Sequence, residues 1–155
     1  MKKPASDRTA KACQSYRDAN PDRSEISGCR DVGYLEVHHI YGRGRPEEHD
    51  WFCNLILLST YEHTHLHDCN PAIWEVECLW AKWKKHLNQF EPSPDPQYMD
   101  WNPESLSKIC GCVNLAGRLE GIILPKLLET DDRTWRYGSS VEKCRELIAE
   151  LTPSA

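Results

Sequence analysis

The sequence lacks any apolar run long enough to span a membrane, and its first residues lack the apolar segment of a secretion signal. We therefore expect a soluble, cytoplasmic chain. It also lacks regularly paired cysteines: among eight, only Cys110 and Cys112 are close, and C-x-C is a weaker metal signal than C-x-x-C. Without a secretion signal, reduced thiols are the expected state of these cysteines.

An excess of positive charge is missing as well. The net charge is -5 and the pI about 5.8, whereas proteins that bind nucleic acid through a general electrostatic surface are usually basic. The charge is unevenly distributed, because residues 1–46 carry nine Lys and Arg against six Asp and Glu. This segment has a net charge of +3 and the remainder has -8. Any contact with phosphate is therefore expected from the N-terminal part, and the acidic C-terminal part is a candidate surface for a protein partner.

Composition and punctuation divide the chain into four segments. Residues 1–25 are a polar N-terminal tail with at most one short helix, and 26–91 form the expected core with a Trp-rich helix. Residues 92–102 are a Pro-rich linker. Residues 103–155 are predicted to be a helical C-terminal extension.

Periodicity and capping signals predict the elements of the core. Tyr34–Ile40 is expected to be a short strand, and Trp51–Leu58 is an apolar run that follows a Gly-rich loop. Ser59–Glu62 is a capping box, so a helix should begin near Thr60 and end near Asp68. Further helices are predicted over about 71–90, over about 103–128 with breaks at Gly117, Gly121 and Pro125, and over about 140–151.

Four histidines and one asparagine form a pattern with chemical meaning. His63 and His67 lie four apart on the predicted helix, so they share a face and can chelate one divalent ion. His38 and His39 are neighbours on a strand and point to opposite faces, so one can bind metal while the other does something else. A histidine that does not bind metal suits a general base, and a nearby Asn side chain or a backbone carbonyl can hold it in one orientation.

These residues resemble the HNH, or ββα-metal, nuclease motif. The steps are 15 residues from His39 to Asn54, nine to His63 and four to His67. They are similar to those of colicin-type bacterial DNases, and the phrase Val-His-His-Ile-Tyr-Gly-Arg-Gly is similar to small bacteriophage HNH proteins. The resemblance covers about residues 29–70.

The resemblance implies an α+β fold, a ββα-metal core with a helical C-terminal extension, and endonuclease activity. It implies that His39 is the general base, that Asn54 braces the loop and orients His39, and that the metal ligands are His38, His63 and His67. The family cuts DNA, or sometimes RNA, and leaves a 5′-phosphate and a 3′-hydroxyl. A bacterial or phage-infected cell is the expected setting.

The loop after the proposed base carries Arg43 and Arg45, which could grip phosphate in bidentate fashion or be solvated loop charges. Glu36 shares a strand face with His38, and we expect it to be exposed rather than to support that ligand. Three neutral His ligands favour a transition metal or zinc over Mg²⁺, which prefers oxygen ligands. The sequence does not fix the identity of the one divalent ion, and Mg, Mn, Ni and Zn all stay open.

Many HNH proteins also hold a structural zinc between two C-x-x-C pairs. The equivalent positions here are Ile26, Cys29, Ser59 and Glu62, so we expect no structural zinc of that kind. Two alternatives to a nuclease stay open: a non-cleaving ββα-metal module that binds nucleic acid or a protein, and a zinc-stabilised structural protein. The intact His39 disfavours the first, and the missing cysteines disfavour the second.

Overall fold

The computed structural model describes residues 5–20, 23–28, 30, 35–42, 47–87, 103–129 and 139–152. The predicted linker 92–102 and loop residues 43–46 therefore lie outside the described residues. The elements in chain order are α1 (Ala5–Ala19), β1 (Leu35–His39), β2 (Leu55–Ser59), α2 (Thr60–His67), α3 (Pro71–Leu87), α4 (Pro103–Cys110), α5 (Leu115–Arg118), α6 (Leu124–Glu129) and α7 (Ser140–Leu151), with 3₁₀ turns at Glu47–Asp50 and Phe52–Asn54. None of the described helices is long and apolar enough to cross a membrane.

The fold is mixed α and β, with one antiparallel pair of strands in the described part of the chain. β1 and β2 pair from Leu35 opposite Ser59 to His39 opposite Leu55. All five residues of β2 are buried, because helices cover both faces of this small sheet. Leu55 and Leu57 pack towards α1, and Ile56 and Leu58 pack towards α2 and α3.

α2 begins where its capping signal predicts. The Ser59 hydroxyl accepts a hydrogen bond from the Glu62 N–H at 3.1 Å, which satisfies one free donor of the first turn. The Glu62 carboxylate is used differently from a standard capping box: it accepts hydrogen bonds from the Ser24 and Ser27 hydroxyls. These bonds attach residues 24–27 to the start of α2.

The segment predicted as a polar N-terminal tail contains α1, a helix of 15 residues. Tyr16, which lies on this helix, is fully buried and packs edge-on against Phe52 at a centroid distance of 5.1 Å. The Arg17 guanidinium donates to the Leu35 carbonyl oxygen at 2.5 Å, which ties α1 to β1. The sequence conceals this docking because few apolar residues of α1, chiefly Ala12 and Tyr16, enter the core.

The C-terminal helices pack on α3 and share its core. The predicted helix over 140–151 is confirmed as α7, and the predicted breaks at Gly117, Gly121 and Pro125 correspond to a change of helix type rather than to an end of the helical run. Helical turns continue from Leu115 to Glu129, with a wider π-helical stretch at Leu119–Ile123. This stretch directly precedes the turn with Pro125, which has no N–H to donate.

The break lies instead at Gly111, after α4. Gly111 has a φ of +80° and its N–H bonds to the Ser107 and Lys108 carbonyl oxygens at 2.9 and 3.2 Å. The Cys112 N–H also donates to the Ser107 carbonyl oxygen at 3.1 Å. This is a glycine C-cap: Gly111 has no side chain, so it adopts the left-handed backbone conformation without a steric cost.

Candidate functional site

A cleft of about 500 Å³ opens between the end of β1, α2 and the start of α3. It brings together four of the five residues predicted from the sequence pattern. The side chains that matter to its chemistry are Glu36, His38, His39, His63, His67 and Trp74.

The centre of the cleft is a pair of stacked imidazoles. The rings of His38 on β1 and His63 on α2 lie 3.5 Å apart at an angle of 21°. Glu36, two residues before His38 on the same strand face, places a carboxylate oxygen 3.3 Å from His38 Nε2. One ligand atom from each of these three residues lies within 4.8 Å of the others. Two imidazole nitrogens and one carboxylate oxygen at this spacing are a chemically suitable donor set for a divalent cation.

His67, the third predicted metal ligand, lies at the rim of this group. Its ring is 4.3 Å from His63 at a steep angle, and it stacks on Trp74 at 5.2 Å and 12°. Trp74 is held in turn by its indole N–H, which donates to the Ile40 carbonyl oxygen at 3.1 Å. His67 is therefore adjacent to the metal-ligand candidates, but it is not part of the three-residue set with mutually close donor atoms.

The surroundings of His63 favour its neutral form. Burial lowers the pKa of His63, and the neighbouring His67 lowers it further, while the Glu36 carboxylate acts in the opposite direction. A neutral imidazole presents the lone pair that a metal ligand needs.

His39 reaches the cleft from the opposite side of β1. Only 7% of its side chain is exposed, and its Nε2 lies 3.0 Å from Asp50 Oδ1. Asp50 is itself buried and receives two further hydrogen bonds at Oδ2, from Arg8 Nε at 3.0 Å and from Thr9 Oγ1 at 3.1 Å. His39 thus contacts Asp50, which in turn is held by α1, and it is separate from the His38–His63 pair.

Asn54 is fully buried and fastens the connection between the strands. Its Nδ2 donates to the Tyr41 and His49 carbonyl oxygens at 3.0 and 2.8 Å, and its Oδ1 accepts from the Tyr41 N–H at 2.9 Å. The Ile40 N–H also bonds to the Asn54 carbonyl oxygen at 2.8 Å. These four bonds fix the backbone on both sides of the loop, directly after His39 and directly before Asp50.

Glu36, Asp50 and Trp74 were not predicted as site residues from the sequence. Glu36 was expected to be merely exposed; half of its side chain is, but it also lies beside His38. The signal was its position two residues before His38, since alternate strand residues share a face. Asp50 had no such signal, because only the folded loop places it against His39. Arg43 and Arg45, proposed to contact phosphate, lie outside the described residues.

Comparison of the chain with known families and proteins identified no homologue from which a function could be inferred. No family model, curated protein or solved structure matched it. The functional interpretation therefore depends on the residues of the cleft and their chemistry.

Proposed function

We propose that this chain is a metal-dependent endonuclease of the HNH type that hydrolyses phosphodiester bonds in DNA. The observation that carries the proposal is one cleft that contains both a His38–His63–Glu36 donor set and a separate histidine, His39. Phosphodiester hydrolysis needs these two kinds of group: a cation beside the phosphate and a base for the attacking water. The order strand, strand, helix over β1, β2 and α2 supports the proposed ββα-metal core.

A divalent ion is proposed to be held by His38, His63 and Glu36, with His67 beside them. When bound, such an ion would stabilise the negative charge that develops on the phosphate and on the departing oxygen. The carboxylate of Glu36 makes this set less soft than three histidines, so Mn²⁺ and Mg²⁺ become better candidates than the sequence pattern alone suggested.

His39 is proposed to take the proton of the attacking water. Its side chain is nearly enclosed and fixed by Asp50, so the imidazole has little freedom to rotate. Asn54 is proposed to act indirectly, because its hydrogen bonds hold the backbone on both sides of the contact between His39 and Asp50. The leaving group would be the 3′ oxygen, which gives the 5′-phosphate product of HNH nucleases.

The test is cleavage of supercoiled plasmid in the presence of Mg²⁺, Mn²⁺, Ni²⁺ or Zn²⁺, with single-stranded DNA and RNA as parallel substrates. We expect cleavage by the wild type and a large loss with His39→Ala or His63→Ala. His65→Ala is the matched control, because His65 lies on the same helix but stacks on Tyr61 at 6.0 Å and does not line the cleft.

Calorimetry separates the two functions of the cleft. His39→Ala should bind metal like the wild type, whereas His63→Ala should bind it more weakly. Metal binding without cleavage of any substrate would contradict the nuclease and favour a non-cleaving metal module that binds nucleic acid or a protein partner.

A further inference from the structure

We infer that Asp50 is a positioning residue that keeps the proton of His39 on Nε2, so that Nδ1 is the nitrogen that accepts the proton from water. This inference rests on the proposed function for its catalytic meaning. Its structural half, the protonation pattern of one imidazole, can be measured without any substrate.

The geometry assigns the donor and acceptor on each side of the contact. An ionised carboxylate can only accept hydrogen bonds, and Asp50 already accepts two at Oδ2 from the Arg8 guanidinium and the Thr9 hydroxyl. At Oδ1 it faces His39 Nε2 at 3.0 Å, so that nitrogen must carry the hydrogen. In a neutral imidazole the other nitrogen, Nδ1, then has the free lone pair.

Burial makes the contact strong enough to select one tautomer. The side chains of His39 and Asp50 are 7% and 5% exposed, so little water competes for either nitrogen or for the carboxylate. The cationic Arg8 comes from α1, which fixes the carboxylate from a second element. A histidine held in this way by an acid has one basic nitrogen in one direction, which is the arrangement a general base requires.

The proposed step balances as follows. The water oxygen forms a bond to phosphorus while one water proton moves to His39 Nδ1, and the imidazolium keeps its Nε2 hydrogen on Asp50. The bond between phosphorus and the 3′ oxygen breaks, and that oxygen takes a proton from solvent. Asp50 takes up no proton in this step, and its carboxylate stabilises the imidazolium.

Asp50→Asn tests this with a change of one atom. Arg8 and Thr9 both donate to the Oδ2 position, so they should hold the new amide with its oxygen towards them. The amide NH₂ would then face His39 and donate to Nε2, which forces the hydrogen to Nδ1. We expect ¹⁵N NMR of the imidazoles to show hydrogen on Nε2 of His39 in the wild type and on Nδ1 in the variant.

Activity measurements should follow the tautomer. Because the base acts only in the transition state, Asp50→Asn should lower kcat by about 10²–10⁴-fold with little change in KM. Metal affinity should be unchanged, since Asp50 contacts none of the proposed ligands. The control is Thr9→Val, which removes one donor at Oδ2, leaves Arg8 in place and should keep both the wild-type tautomer and kcat.

Several outcomes would overturn the inference. Hydrogen on Nδ1 of His39 in the wild type would do so directly, even if no variant folded. So would a normal kcat in folded Asp50→Asn. Failure of the nuclease proposal is a different result: the wild type would cleave nothing while its NMR spectrum still showed hydrogen on Nε2.

Discussion

Glu36 and His67 compete for the same role at the proposed metal site. Sequence pattern favours His67, because it is one helical turn from His63. The folded cleft favours Glu36, because its carboxylate lies 3.3 Å from His38 Nε2 while the His67 ring is stacked on Trp74. The ion itself discriminates between these two side chains.

We predict that Glu36→Gln weakens Mn²⁺ affinity by at least roughly 10–100-fold. This is the loss expected even when the removed residue only supports a metal ligand. The amide keeps the shape of the side chain but loses the charge that attracts the cation. His67→Gln should change the affinity by less than about tenfold. Isothermal titration calorimetry measures both, and the reverse ranking would show that His67 is the third ligand.

The difference between predicted and observed site residues has a physical basis. Strand alternation and helical periodicity indicate which faces His38, His39 and His63 occupy, whereas Asn54, in a 3₁₀ turn, was predicted from the resemblance to the HNH motif. Asp50 cannot be found in this way. Asp50 contacts His39 across a loop and is held there by α1. Neither the loop nor the docking of α1 produces a periodic residue pattern that could be recognised in the sequence.

At the scale of elements, α2 is attached at its start by hydrogen bonds from outside the helix. Glu62 is 2% exposed, and its carboxylate accepts hydrogen bonds from the Ser24 and Ser27 hydroxyls. Because α2 carries His63, this contact also bears on the position of a proposed metal ligand.

Glu62→Ala should therefore lower the free energy of unfolding by about 1–3 kcal/mol, since the buried Ser24 hydroxyl loses its acceptor. α7 supplies a matched control, because it begins with a second Ser-x-x-Glu box at Ser139 and Glu142 is exposed. Glu142→Ala should change stability by no more than about 0.5 kcal/mol. Urea denaturation compares the two, and equal effects would mean that Glu62 acts only as an ordinary helix-start residue.

α1 is joined to α3 through a buried cation. Lys82 is fully buried, and its Nζ donates to the Tyr16 hydroxyl at 2.8 Å and to the Phe52 carbonyl oxygen at 3.1 Å. Glu25 completes the group: it lies 3.8 Å from Nζ and accepts from the Tyr16 hydroxyl at 2.5 Å and from the Leu57 N–H at 2.6 Å. The positive charge of Lys82 therefore balances the negative charge of Glu25.

Lys82→Met should destabilise the fold by about 3–5 kcal/mol, because it leaves the Glu25 carboxylate buried without its cation. Lys84→Met is the control on the same helix. Lys84 is exposed and lies over the Trp80 ring at 4.3 Å, so its loss should cost at most about 1 kcal/mol. A Lys82 variant as stable as the Lys84 variant would show that Glu25 is protonated or hydrated once the cation is gone.

Elements were predictable where local chemistry defines them. The starts of α2 and α7 follow from Ser59 and Ser139, whose hydroxyls cap the predicted helices. The end of α4 at Gly111 and the docking of α1 were not predicted. The first depends on a backbone conformation, and the second depends on a few buried residues within a polar segment.

At the scale of the whole molecule, the predicted C-terminal extension and the predicted nuclease core share one hydrophobic core. Residues of β2, α2 and α3 pack in the same cluster as Leu106, Leu119, Leu127, Cys144 and Leu147. Polar contacts cross the same boundary: the buried Glu77 of α3 accepts from Ser140 at 2.8 Å and from Lys143 at 2.6 Å. The site-bearing part of the fold is therefore supported by the C-terminal helices.

One such contact connects the C-terminal helices to the cleft loop. Arg118 donates twice to the buried carboxylate of Glu75, at 2.7 and 2.9 Å, and the Tyr41 hydroxyl donates to the same carboxylate at 2.7 Å. Tyr41 is also the residue whose backbone Asn54 holds. Burial and the neighbouring Glu75 carboxylate raise the pKa of Tyr41, so its hydroxyl stays protonated as a donor.

The whole chain should consequently unfold in one transition, with tryptophan fluorescence and far-UV circular dichroism giving the same midpoint in urea. Arg118→Ala should move both midpoints together and lower the free energy of unfolding by about 1.5–3 kcal/mol, because Glu75 loses a bidentate partner. Arg145→Ala, on the exposed side of α7, should leave both within about 0.5 kcal/mol of the wild type. Two separate transitions, with only the later helices affected by Arg118→Ala, would instead identify residues 103–155 as an independent domain. If the chain unfolds in one transition, a substitution at Arg118, 55 residues beyond His63, can abolish the proposed site by unfolding the whole chain. Activity losses of C-terminal variants must therefore be compared with their stability.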